Sequence, residues 1–157
     1  MRTVFMFPAG DRAGTAACLN QHLVAGNGSW TFAERVYVAI DDEETGCLFR
    51  DWEPGELALV EAALGYRPTW AVLMDISGRI DGTAEVRHLA GVLLREGGVA
   101  FDDYSEHAWT LGEIESGTAI EGLRFFDFRT YDERHRQPHI VRDTQRKPTS
   151  QVKRLAR

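Results

Sequence analysis

The chain has 157 residues, 43% hydrophobic and 10% aromatic, enough apolar surface for one folded domain and too much for a disordered chain. Its net charge of −6 conceals a division: through Phe128 nine arginines stand against twenty-one acids, −12, while from Arg129 onward nine basic residues stand against three acids, +6. Such a body repels nucleic acid and attracts basic partners, a basic tail does the reverse, and no apolar run approaches the roughly 18 residues of a membrane span.

Thr3 to Phe7 (TVFMF) is apolar on both faces, as a buried strand is, and the start of the chain lacks the apolar core and cleavage site of a signal peptide. Pro8-Ala9-Gly10 predicts a turn, and Asp11 or Thr15 can cap a helix carrying Ala16, Leu19, Leu23 and Val24, ended by Gly26-Asn27-Gly28. Val36, Val38 and Ile40 alternate as a second strand, with Asp41 to Gly46 as a polar turn and Cys47 to Arg50 as the hairpin partner. Pro54 in a first turn, a Leu57, Val60 and Leu64 stripe, and Gly65 as a stop bound the next helix.

Trp70, Val72, Met74 and Ile76 predict one face of a central strand, with Ala71 and Leu73 on the other. Asp81 or Thr83 then caps a helix whose Val86, Leu89, Ala90 and Leu93 recur at helical spacing, and Val99 to Phe101 follows as a strand. Together Thr69 to Phe101 has the size of a strand–helix–strand unit. Thr110 and Glu113 form a capping box for a short helix, and Leu123 to Phe128 reads as a last strand. Cys18 and Cys47 lack metal-type spacing and sit among apolar neighbours, which predicts reduced, buried thiols in a cytoplasmic setting, though their spacing leaves pairing open.

Several segments carry partial chemistry. GDRAGT, Gly10 to Thr15, stands where a phosphate loop would, but it lacks the Walker spacing and lysine, so an ordinary capped turn is favoured. DDEETGCLFRDW, Asp41 to Trp52, begins like a calcium loop yet has Trp52 where a bidentate glutamate is required. DDYSEHAW, Asp102 to Trp109, gathers carboxylates, Glu106 and His107 beside Tyr104 and Trp109; partner binding through acidic groups and aromatic anchors is favoured over acid–base catalysis. His135 and His139 are split by Pro138 and set among arginines, which disfavours a cation site.

The order in LGYRPTWAVLMDISGRIDGTAEVRHLAGVLLREGGVAFDD, Leu64 to Asp103, resembles small bacterial immunity proteins encoded beside polymorphic or secretion-delivered toxins. The similar features are a G-Y-x-P lead into a strand, a polar turn, an Ala/Leu-rich helix and GGV-x-x-D. That resemblance implies an acidic α+β inhibitor that masks a toxin's active site. The basic tail is not part of it.

The expected architecture is therefore α+β: one acidic domain, residues 1–128, with a mixed or mostly antiparallel sheet and helices packed on it, then a basic C-terminal arm, 129–157. The expected function is binding and neutralising a cognate toxin or other basic protein in the bacterial cytoplasm, with no catalytic set, metal or cofactor. Asp41, Asp42, Glu43, Glu44, Trp52, Asp102, Asp103, Tyr104, Glu106 and Trp109 are the expected contact residues, with Trp30 a further candidate anchor. The alternatives are a small enzyme acting on a phosphate-bearing ligand, and an accessory protein whose tail binds nucleic acid. No membrane partner is expected.

Overall fold

A computed structural model describes residues 1–136, so expectations that fall on 137–157, His139 among them, lie outside the described residues. The elements in chain order are β1 (Arg2–Pro8), α1 (Arg12–His22), β2 (Val24–Ala25), β3 (Trp30–Phe32), β4 (Val36–Asp42) and α2 (Pro54–Leu64). They continue with β5 (Trp70–Ile76), α3 (Thr83–Leu93), β6 (Gly98–Asp102), α4 (Leu111–Ser116) and α5 (Phe128–His135). The strands form a single antiparallel sheet in the order β2-β3-β4-β5-β1-β6, which makes the protein α+β.

The expected strand–helix–strand unit is present in split form. β1 pairs antiparallel with both β5 and β6, so these two run parallel with β1 between them. Gly98 makes the β1–β6 approach possible: it sits at φ +106 with the Phe7 carbonyl against the place a Cβ would take.

The alternation in each strand sorts its residues onto two faces. On one face Val4, Met6, Val36, Val38, Val72, Met74 and Ile76 are buried against Leu19 of α1, Val86, Leu89, Ala90 and Leu93 of α3, and Ile114 of α4. The other face is covered in part. Phe7, Ala71, Val99 and Phe101 pack against Val60 of α2 and Leu48, with Phe49 and Trp52 beside them. The sheet surface beyond this plug is open, as the 46% exposure of Tyr37 shows.

Helix boundaries follow the local chemistry of the sequence. The Asp11 carboxylate accepts from Gly14 N at 2.6 Å to cap α1. Glu53 and Glu56 form a capping box at α2, and Gly65 stops it in the left-handed region. Asp81 accepts from Thr83 N at the start of α3, and Thr110 and Glu113 form the expected box on α4.

Four expectations are corrected. Cys47 to Arg50 is not a strand; its residues are turns that fold Leu48 and Phe49 onto the sheet, and β4 takes β5 as its partner instead. Leu123 to Phe128 is not a strand either: after an Ile120–Leu123 bridge the chain turns through Phe126 at φ 57 and enters α5, capped by Asp127. Helix α1 ends at His22, so Gly26 to Gly28 turns between β2 and β3, leaving Val24 72% exposed. Both thiols are free, with Cys18 half-buried and Cys47 exposed rather than buried.

Helix α5 also runs across the expected boundary at residue 128. Its basic residues are used locally: Arg129 reaches Asp81 at 2.6 Å, and Arg134 donates to the carbonyls of Glu121 and Gly122. No helix among the described residues is long and apolar enough to cross a membrane.

Candidate functional site: an acidic cleft on the open sheet face

Where the second sheet face is uncovered, a cleft of about 680 Å³ opens. Strand alternation supplies its floor: Thr3 and Phe5 of β1, Leu73 and Asp75 of β5, Asp41 of β4 and Phe101 of β6. The turn carrying Cys47, Arg50, Asp51 and Trp52 contributes a wall together with Glu56 of α2. The loop from Asp102 to Glu106 and Tyr131 of α5 complete the lining. Seven of the lining residues carry carboxyl groups and one, Arg50, carries a cation. That guanidinium is already engaged, with Nε donating to the Gly46 carbonyl at 3.2 Å and Nη2 resting on Cys47 Sγ at 3.8 Å.

The carboxylates are held in place from the floor. Thr3 is directly opposite Asp75 in the β1–β5 register, and its hydroxyl donates to Asp75 Oδ1 at 2.9 Å. Its backbone N–H donates to Asp103 Oδ2 at 2.8 Å, which fixes two acids on one residue. Desolvation pushes the Asp103 carboxyl above the usual carboxylate range, and the charges of Asp102, Asp75 and Glu56 push it further, against the hydrogen bond from Thr3. Asp41 is raised likewise by desolvation and then by Asp42 and Asp75. The Tyr104 phenol is pushed up to about 12 by desolvation and by Asp103, so it remains a neutral donor near neutral pH. Mutual repulsion of this kind is relieved by an incoming cation.

The aromatic side is a packed cluster. Trp52 meets Phe5 edge-on at 4.9 Å, Phe49 at 5.1 Å and Phe101 at 5.7 Å between centroids. Tyr104 lies 5.3 Å from Tyr131. Ring faces beside carboxylates suit a guanidinium or ammonium stem, whose charge and methylenes both find partners.

Of the expected contact residues, the cleft collects Asp41, Trp52, Asp102, Asp103, Tyr104 and Glu106. Asp42 is outside it and is taken by Arg12 at 3.1 Å and by Thr45 N. Glu43 lies outside against Arg67 at 3.4 Å, and Glu44 is exposed away from the cleft. Trp109 is corrected outright: it is 0% exposed in the main core, its Nε1 donating to Ser105 Oγ, and cannot serve as an anchor. Trp30 is half-buried and donates to Asn20.

Asp102, though it lines the cleft, is chiefly internal. Its carboxylate accepts from Tyr104 N, Ser105 N and Ser105 Oγ on one oxygen and from Phe126 N at 2.7 Å on the other. It ties the 102–106 loop to the turn before α5. Asp75, Glu56, Asp51, Thr3, Phe5 and Tyr131 were not among the expected residues. The available signal for Asp75 was a carboxylate inside the apolar run VLMDI, where an acid is rare unless one face is open.

The catalytic alternatives find little geometry. His107 Nε2 lies 3.0 Å from Glu113 Oε2, the capping-box acid, not against Glu106. In the segment Gly10 to Thr15, where a phosphate cradle would stand, the Gly14 amide is taken by the Asp11 carboxylate and the Thr15 amide by the Asp11 carbonyl. Among the described residues there is no group of three or more His, Cys, Asp and Glu side chains placed to hold a metal. Comparison with family models, with curated proteins and with solved structures gave no match.

Proposed function

We propose that this protein is a stoichiometric inhibitor of the immunity type, which binds a basic protein, most naturally a cognate toxin in the bacterial cytoplasm, and masks its active site. The observation that carries the reading is the acidic cleft: seven carboxyl-bearing residues beside an aromatic wall, with a single engaged arginine among its lining. A toxin that acts on nucleic acid or nucleotides needs arginines and lysines in its active site. Those side chains are what such a cleft would take, so occupancy and inhibition would be the same event. The −12 carried by residues 1–128 would also speed encounter with a basic partner, more so at low ionic strength.

The volume of about 680 Å³ is in the range of pockets that engulf a small ligand, and here it would receive one or two projecting side chains. The test is co-expression with the product of the adjacent gene, measuring co-purification and growth. Complex formation and rescue are expected from the native chain, with both lost when Asp75→Lys and Asp103→Lys are combined. A complex that survives this reversal, or no complex at all, would sink the proposal.

A further inference from the structure

We infer that residues 137–157 of this same chain occupy the acidic cleft in the absence of a partner and are displaced when a basic partner binds. This rests on the proposed role of the cleft as a receptor for cations and adds what fills it beforehand.

The surface has the form of an unpartnered sheet face. Thr3, Phe5, Leu73 and Asp75 remain only half-buried between the turn that carries Trp52 and the loop that carries Tyr104, and no described element lies over them. The chain leaves the described fold beside this surface. Tyr131 of α5 lines the cleft, and α5 ends at His135, about one helical turn or ~6 Å further on. Lys147 and Lys153 follow Arg136 by spans of chain that reach ~35–55 Å when extended, ample to return over the cleft.

Charge selects this occupant. Residues 137–157 carry Arg142, Arg146, Lys147, Lys153, Arg154 and Arg157 against Asp143 alone. Four acids outside the cleft already have arginine partners: Asp42 has Arg12, Asp81 has Arg129, and Glu43 and Glu61 have Arg67. Among the described residues no cleft carboxylate has an ion-pair partner, and Arg50, the one cation of the lining, is turned to the Gly46 carbonyl and Cys47. Ile140 and Val141 add apolar side chains for the aromatic wall. A short tether presents such a segment at an effective concentration on the order of mM, so even weak individual contacts yield substantial occupancy.

The sequence supplies its own probe, because Lys147 and Lys153 are the only two lysines in the chain. Zero-length carbodiimide coupling of the full chain, with isotope-labelled and unlabelled protein mixed, reports which carboxylates these amines touch. The expected result at ~20 mM salt is amide links within one chain to Asp41, Asp51, Glu56, Asp75, Asp103 or Glu106, largely gone at ~0.5 M salt. Links that fall on Glu85, Glu115 or Glu121, links mainly between chains, or no links would overturn the inference.

A second arm separates this idea from the role of the cleft itself. A fluorescent nona-arginine peptide is titrated into the full chain and into the full-length variant with all six basic residues of 137–157 changed to Gln. Binding about tenfold tighter to the variant at low salt is expected if a tethered competitor is removed. Equal affinity overturns the tail inference and leaves the cleft reading standing. Peptide affinity that is unchanged by Asp75→Asn with Asp103→Asn removes the cleft reading, and the tail inference falls with it.

Discussion

Removal of the Asp102 carboxylate is the sharpest perturbation of the loop that frames the cleft. Its two oxygens accept three backbone N–H groups, those of Tyr104, Ser105 and Phe126, and the Ser105 hydroxyl, which in turn accepts from Trp109 Nε1. In Asp102→Ala these donors lose their acceptor together. The Phe126 amide is buried and bears the full penalty of an orphaned donor, ~1–3 kcal/mol, while water can reach part of the Tyr104 and Ser105 set. A total loss of about 3–5 kcal/mol follows, large for a single substitution and tied to a broken buried network. In Asp102→Asn the amide oxygen can keep the acceptor role toward Tyr104 and Ser105, but its NH2 faces the Phe126 N–H, so about 1–3 kcal/mol is expected.

The pH dependence has a defined sign. Desolvation raises the Asp102 carboxyl above its usual value and its four hydrogen bonds only partly oppose this, so the folded state binds more protons than the unfolded one. Stability from this group is therefore fully present below the unfolded aspartate value and is lost as pH rises through the folded one; Asp102→Asn should flatten that component. Urea unfolding followed by tryptophan fluorescence between pH 4 and pH 8 measures both effects, and hydrogen exchange reads the Tyr104, Ser105 and Phe126 amides. An Asp102→Ala protein within about 0.5 kcal/mol of the native chain, or with those amides still protected, would refute the reasoning.

Neutralising Asp41 and Asp103 to Asn should stabilise the fold at neutral pH while weakening binding of a basic partner, because both carboxyls are raised and so oppose folding once ionised; a urea midpoint at pH 7 that falls would contradict this. Trp52→Ala removes a ring that touches Phe5, Phe7, Phe49 and Phe101 and should cost about 2–3 kcal/mol in urea unfolding, below the full core value because Trp52 is half-buried. Glu113 behaves oppositely to the cleft acids: desolvation works upward, but hydrogen bonds from Thr110 and His107 outweigh it and hold the carboxyl low. Its contribution is present above the unfolded glutamate value and lost as pH falls through the folded one, so Glu113→Gln should flatten the acid limb of a stability profile.

Much of the fold was legible where local chemistry decides it. Pro54 with Gly65, Thr110 with Glu113, and the Val86, Leu89, Ala90 and Leu93 stripe each specify an element without reference to the rest of the chain. The antiparallel pairing was legible only in outline, because the position of β1 between β5 and β6 depends on contacts far apart in sequence. Leu48 and Phe49 look like strand residues in isolation; tertiary packing makes them, with Trp52, a plug over the sheet. Phe126 at positive φ is unreadable from sequence, since the Asp102 carboxylate that holds its amide comes from another element.

The cleft was half visible for the same reason. The acidic runs at Asp41 and Asp102 stand out in the sequence, yet a run of acids does not say which of its members turn inward. Register decides it: Asp41 faces the open floor, whereas Asp42 meets Arg12. Asp75 and Thr3 become neighbours only when β1 pairs with β5.

The interior placement of β1, between β5 and β6, has a consequence for biosynthesis. The strand leaves the ribosome before the other strands described, yet the residues that Val4 faces, Met74 and Asp102, emerge about seventy and about a hundred residues later. Until β5 emerges TVFMF is an apolar, β-prone segment with neither neighbour made, a hazard for self-association. The β3–β4 hairpin can close early, and β5 can join it and pair with β1 as it emerges, but the outer edge of β1 stays unpaired until β6 is synthesised. Neither face of that sheet can then be fully built on an incomplete chain, so the cleft, whose floor spans β4, β5, β1 and β6, is among the last features to form.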